Sequence, residues 1–341
     1  MDTKGWKQFQ AEFLKEAIQK IRFKKPVREL ASILGIKENA MYKKIQLQTQ
    51  LSLEDLILLS TELQISLDQY LGSKLSPVPF YLDSLRKKPE KFEDYLENLV
   101  KHMRLLHEMP DLKYCYIAGE IPLFHLMVFP ELFSFKLCVW NMTHWNLPSY
   151  SEKVNLDLAA MHTEVHTKLN TCIKIYYGFP GTEIWHSKMF DHLLEQIKYF
   201  VLLRKFNSRN EIARLIYVIY QLTDHLELIA SRGEKTTEEP GNKVKSPINV
   251  YQNEITPISE SILIQTKNVD FSFLCFDMPH ILRSTDQRFT TQSALSLDTI
   301  LKFSTLVSKE GQAERKDLFD HIRNKISLSE KEILALRDMK Y

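Results

Sequence analysis

Lys37, Glu38, Asn39, Ala40, Tyr42, Lys43 and Lys44 form the stretch of this chain whose chemistry is easiest to name. An asparagine amide can pair with adenine, and a lysine ammonium can reach guanine or a backbone phosphate. Such groups read a base sequence only when they project together from a rod lying in the major groove. Lys24, Lys25 and Arg28, just upstream, suit phosphate contacts, which fix position without reading sequence.

The flanking residues predict the rod and its support. Residues 26–44 read as two short helices joined by a tight turn. Pro26 suits a first helical turn, where a missing amide proton costs nothing. Ala31 lets the second helix approach the first, and Gly35 can take the positive φ of the turn. Leu30, Leu34, Ile36, Met41 and Ile45 supply an apolar seam. Upstream, Trp6, Phe9, Phe13, Ala17 and Ile21 recur at helical spacing. Downstream, Ser52 and Asp55 have the spacing of a capping box ahead of Leu56, Leu59 and Leu63, and Ser66 to Gln69 begins a short fifth helix ending near Gly72. Residues 1–72 are therefore expected to form a five-helix domain, with 73–89, which holds three prolines, as a linker.

For residues 90–341 the pattern predicts a larger helical domain. Helices are expected at about 92–109, 130–145, 155–177, 187–205 and 208–231, with two or three more from Ser296 onward. Residues 113–129 are aromatic and read as irregular or as a short extended segment, and 231–249 look like a flexible polar loop. Alternation at 261–266 and 271–276 predicts an antiparallel hairpin, with 249–255 as a third strand, so a β segment of about 249–277. The expected fold class is mainly α with one small antiparallel β hairpin or sheet.

Charge is unevenly spread. Of 45 Lys and Arg and 43 Asp and Glu, the first fifty residues hold 11 and 5, leaving a head of +6 on a body of −4. A basic head on a mildly acidic body fits a nucleic-acid-binding module attached to something else. Cys115, Cys138, Cys172 and Cys275 are widely spaced and read as reduced, buried thiols. The N-terminus does not read as a secretory leader, and the apolar run 121–129 is too short to span a bilayer, so a cytoplasmic protein without membrane contact is expected.

Catalytic motifs are missing: there is no Gly-rich phosphate loop and no GxSxG. An enzyme is not expected, nor a cofactor. Among the aromatic residues and scattered polar groups of the second region, Tyr116, Glu120, His125, Trp140 and Trp185 are the candidates to line a ligand pocket. His162 and His166 share a helical face but lack the HExxH order and a third ligand, so no metal is expected.

Residues 18–71 resemble the Cro/repressor-type (XRE-like) helix-turn-helix, including the trailing phrases from Leu51 to Asp55 and from Ile65 to Leu71. The whole chain resembles bacterial regulators that join this domain to a large, mostly helical region, through Tyr42-Lys43-Lys44-Ile45, residues 121–125, 129–132, 182–185 and 253–255. Two departures stand out: Lys37 replaces the usual capping Ser or Thr, and Leu47 replaces the Gly that usually ends the second helix. The N-terminal part of the resemblance implies a DNA-binding transcriptional regulator that recognises double-stranded DNA. One short helix reads few base pairs, so a homodimer is expected, with the second domain dimerising and sensing a small-molecule effector. A protein-interaction module and a small-ligand enzyme are the rival readings.

Overall fold

Phe13, Leu14 and Ala17 share one helical face, and a short amphipathic helix cannot hide such a face unaided. A computed structural model describes residues 5–21, 25–67, 70, 78–82, 89–147, 153–154, 156, 163–237, 244–255, 260–277 and 279–338. The chain divides into two compact units, residues 1–80 and 81–341. In the first, α1 (Gly5–Lys20), α2 (Pro26–Ile33), α3 (Glu38–Ile45) and α4 (Leu53–Leu63) bury those three residues with Leu30, Ala31, Met41, Leu59 and Ile65. Leu34, Ile36 and Ile45 of the expected seam pack against this cluster, partly buried. Gly35 turns the chain between α2 and α3 at φ +63°, a region that side chains disfavour. Ser52 and Asp55 exchange hydrogen bonds as a capping box at the start of α4. The expected fifth helix falls largely on residues outside those described.

The second unit corrects the expectation of a mainly α fold. Its strands are β1 (Lys113–Ala118), β2 (Gly181–Trp185), β3 (Glu234–Thr236), β4 (Lys245–Gln252), β5 (Ser261–Gln265), β6 (Phe271–Asp277), β7 (His280–Ser284) and β8 (Thr305–Leu306). They form an eight-stranded sheet in the order β3-β4-β2-β1-β5-β6-β7, with β8 paired to β4. β2 runs parallel to both β1 and β4, and the other pairs are antiparallel. This is an α/β architecture. Parallel neighbours require long crossovers, so β1 and β2, and likewise β2 and β4, are separated in sequence by helices.

Those crossovers are α6 (Leu123–Leu126), α7 (Pro130–Trp140) and α8 (Thr163–Gly178) between β1 and β2, then α9 (Asp191–Leu202) and α10 (Arg209–Arg232) after β2. A π turn, Asn141–Trp145, extends α7. α5 (Phe92–His107) precedes the sheet, and α11 (Gln287–Lys302) and α12 (Gln312–Asp338) follow it. The expected hairpin exists as β5 and β6, but as two strands of the larger sheet. The stretch read as a loop over 231–249 holds β3 and the start of β4. Tyr81, expected in the linker, exchanges backbone hydrogen bonds with Arg283 of β7 at 2.8 and 2.9 Å.

Alternation along β1 and β2 separates two faces. Tyr114, Tyr116 and Trp185 join the main core cluster. Cys115, Ile117 and Ile184 point the other way, into a smaller cluster with Leu297 and Ile300 of α11.

Candidate functional site

In the first unit, α3 turns Met41 fully into the core, which leaves Asn39, Tyr42, Lys43 and Gln46 exposed at three- and four-residue spacing. Lys25, Arg28, Lys37 and Glu38 are also exposed, Ala40 is half-buried, and Lys24 lies outside the described residues. Arg28 stands 3.9 Å from the Glu38 carboxylate with both side chains mostly in solvent, a contact worth little.

Lys44 departs from expectation. Its Nζ lies 2.7 Å from the Asp55 carboxylate and donates to the Gln50 carbonyl at 2.9 Å. The side chain is only 15% exposed, so it braces the end of α3 against the cap of α4 and leaves the set of free cations. Burial pushes the Asp55 carboxyl up, but Lys44 and the Ser52 amide outweigh it and hold it below the usual range. Gln10, which sequence reasoning passed over, also fixes this end. Its amide donates to the carbonyls of Lys44 and Thr49 at 2.7 and 2.9 Å, and its oxygen accepts from the Leu51 amide at 2.8 Å. Leu47 takes φ +60°, the conformation for which a glycine is usual.

The second unit holds a buried polar network around Glu183 of β2, a fully buried carboxylate. Oε1 accepts from Tyr114 at 2.8 Å and Tyr176 at 2.6 Å, and Oε2 accepts from the Trp185 indole at 2.7 Å. His125 Nε2 lies 3.0 and 3.1 Å from the two oxygens. Such saturation of its lone pairs is what makes a buried carboxylate tolerable. Burial alone would raise the Glu183 pKa, yet His125, Lys235 and the Tyr176 hydroxyl reverse this and set it at about 2.

Local sequence explains the geometry. Glu183 and Trp185 are two apart on one strand and so share a face. Gly181 faces Tyr114 across the parallel pair, and a Cβ there would sit 2.2 Å from the tyrosine ring, so only glycine leaves the ring its path to Glu183. Lys235 of β3 is also fully buried: its Nζ donates to the Tyr114 hydroxyl at 2.8 Å and the Tyr176 carbonyl at 2.9 Å. It lies 4.5 and 4.1 Å from the centres of those two rings. Burial pulls its pKa down to about 7, against the opposing charge of Glu183. Burial, then the charge of Glu183, push Tyr114 and Tyr176 far above the ordinary phenol range.

No protein-family model, curated protein or solved structure matches this chain. The assignment of roles therefore rests on the geometry.

The expected ligand residues are dispersed. Tyr116 donates to Glu260 at 3.3 Å, Glu120 accepts from Lys136 at 2.8 Å, and Trp140 packs edge-on against Tyr95 and Trp145. His125 and Trp185 belong to the Glu183 network, and none of the five lines either of two clefts in this unit. The network missed by sequence reasoning adds Glu183, Tyr177, His225 and Lys235. His162 lies outside the described residues, and no cluster of metal ligands occurs among those described.

From Glu183 the network continues outward. His125 Nδ1 meets the Tyr177 hydroxyl at 3.1 Å, and that hydroxyl meets His225 Nε2 at 2.8 Å. Tyr177 and His225 both border a cleft of about 370 Å³. The chain of hydroxyl and imidazole groups can therefore pass a proton between this cleft and the buried carboxylate. Burial, with the charge of His125, lowers the His225 pKa to about 4, so the ring is neutral near neutral pH. A second cleft, about 390 Å³, lies on the other sheet face beside Cys115, Asn249 and Asp298. Burial pushes the Cys115 and Cys172 thiols up to about 12, so neither supplies a thiolate nucleophile.

Proposed function

We propose that the protein is a sequence-selective DNA-binding transcriptional regulator whose α3 enters the major groove. The observation that carries this reading is the exposed stripe of Asn39, Tyr42, Lys43 and Gln46 on a helix backed by α2. Asn39 would read a base edge, while Lys43, Lys37, Lys25 and Arg28 would neutralise phosphates. Lys44 is assigned to the internal brace. Because one short helix reads few base pairs, the reading includes a homodimer on a two-fold site, with the second unit dimerising and responding to a ligand. No helix among the described residues is long and apolar enough to cross a membrane. A cytoplasmic location is part of the proposal.

The test is selection of bound duplexes from random-sequence DNA, followed by gel-shift titration. Lys43→Ala should weaken binding to all selected sequences and lower the slope of log affinity against log salt by about one. Asn39→Ala should relax selectivity at one base pair, at a cost of about 1–3 kcal/mol. Absence of duplex binding at low salt would overturn the reading. The rival, a protein-interaction module, draws on Leu53, Ile57 and Leu58, which are exposed on α4. It would be favoured if DNA binding were absent while Leu53→Glu abolished self-association in sedimentation.

A further inference from the structure

The hydrogen bonds that lead outward from Glu183 have a fixed direction. The ionised carboxylate can only accept, so His125 Nε2, 3.0 and 3.1 Å from its two oxygens, must donate. A buried carboxylate also needs a counter-charge in contact with it. His125, on α6 and without solvent exposure, is that group, because the Lys235 ammonium stands off behind the Tyr114 hydroxyl. As an imidazolium, His125 donates from both ring nitrogens. Its Nδ1 proton goes to the Tyr177 oxygen at 3.1 Å, and the single proton of that hydroxyl goes to His225 Nε2 at 2.8 Å. His225 is a neutral ring whose Nε2 is thus an acceptor, so its own proton sits on Nδ1.

That Nδ1 ends the chain at the cleft of about 370 Å³ between α8 and α10. It has no hydrogen-bond partner among the described residues and is not sealed from the cleft. The ring is held in place, inclined 23° to Tyr177 at 6.2 Å and edge-on to Phe129 at 5.7 Å between centres. Beside it the wall is apolar, with Ile173 of α8, Ile229 of α10 and Val128. The charged side chains of the lining are committed or lie in solvent: Glu234 is paired with Lys245, Lys174 already has a partner, and Arg232 is exposed. The cleft therefore presents an uncharged hydrogen-bond donor against apolar wall. Its volume lies at the small end of ligand pockets, large enough for a metabolite-sized molecule.

A carboxylate placed there would lose its hydration against a neutral ring, which disfavours an anion. A carbonyl oxygen accepts the same proton and gives up far less hydration. We propose that this cleft binds a small neutral carbonyl compound, its oxygen accepting from His225 Nδ1 and its compact apolar body packed against Ile173, Ile229 and Val128. Glu183 touches no ligand in this arrangement. It is a positioning residue, dictating through His125 and Tyr177 which nitrogen of His225 holds the proton. The proposal does not depend on DNA recognition, because it concerns the second unit and is tested without DNA.

The experiment is isothermal titration calorimetry on the full chain at neutral pH, with cyclohexanone as probe and methylenecyclohexane, of the same shape without the oxygen, as control. The ketone should bind saturably at millimolar concentration, about fivefold or more tighter than the hydrocarbon. His225→Phe, which keeps a ring but no donor, should erase that preference, and Lys302→Gln, on a different helix, should leave it unchanged. Nitrogen-15 spectra of the histidine-labelled wild-type chain test the same idea without a ligand or a disturbed fold. With the His225 signals identified by their loss in His225→Asn, they should show that ring protonated at Nδ1 alone and His125 at both nitrogens. A His225 proton on Nε2, equal affinity for ketone and hydrocarbon, no saturable heat from the ketone, or an undiminished preference in His225→Phe would each overturn the proposal.

Discussion

Lys37 occupies the N-cap of α3 with extended backbone (φ −74°, ψ 148°), the conformation a capping residue adopts, yet its side chain caps nothing. A serine there would accept a hydrogen bond from one of the first amides of the helix. Lys37→Ser should therefore stabilise the first unit by about 1 kcal/mol in chemical denaturation, while weakening DNA binding through the lost charge. A loss of stability would mean that the helix does not start where the backbone places it. This missing cap was legible in the sequence, as was the departure at Leu47, which takes the left-handed φ of +60° without being glycine. Both are local facts about one residue and its neighbours. The role of Lys44 was not legible, because nothing in its own neighbourhood announces Asp55, eleven residues on. His125 stood out in sequence as a polar group among aromatic residues, but its partner Glu183 is 58 residues away. A lone glutamate in Gly-Thr-Glu-Ile-Trp looks like the solvent-facing position of a half-exposed strand.

Among elements, helices were readable, β1 and β4 only in outline through the extended reading within 113–129 and the strand expected at 249–255, and β2 not at all. Helical periodicity accumulates over many residues, whereas β2 has five, Gly181–Trp185, lying between two long helices. β5 and β6 were recognisable because an antiparallel hairpin keeps its partners adjacent in sequence. A parallel pair such as β1 and β2 leaves no such trace, which is how an eight-stranded sheet passed for a small antiparallel hairpin or sheet of two or three strands. The same pair also sets the site, since Gly181 clears the ring of Tyr114 on its way to Glu183. Gly181→Ala should destabilise the second unit by about 2–3 kcal/mol through overpacking. The cost should fall when Tyr114 is first replaced by Ala, giving a coupling of at least about 1 kcal/mol in a double-mutant cycle. Additive effects of the two substitutions would show that the ring does not lie over Gly181.

For the whole molecule, the buried charges of the second unit make stability a function of pH with a definite shape. Glu183 titrates at about 2 in the fold against an ordinary 4.5, so its stabilisation is complete above 4.5 and lost as the pH falls toward 2. His225, depressed to about 4 from 6.5, takes up its proton more readily when unfolded, and stability rises across that interval. Lys235 acts in the same direction at higher pH. The unfolded chain holds that proton up to 10.5 and the fold releases it near 7, so stability climbs between those values, by roughly 5 kcal/mol in all. Above about 10 the sign reverses, because Tyr114, Tyr116, Tyr176 and Tyr177 resist ionising in the fold and ionise freely once unfolded. The urea midpoint of the second unit, followed by fluorescence of Trp140, Trp145 and Trp185, should rise from mild acid to a maximum at about pH 9–10 and then fall. Lys235→Met, which keeps an unbranched side chain without the ammonium, should flatten the rise above neutrality and shrink the acid limb without abolishing it, since His125 and the Tyr176 hydroxyl still hold the Glu183 carboxyl low. A wild-type profile already flat between about pH 7 and 9 would mean that Lys235 reaches solvent or that the charge of Glu183 offsets its burial in full.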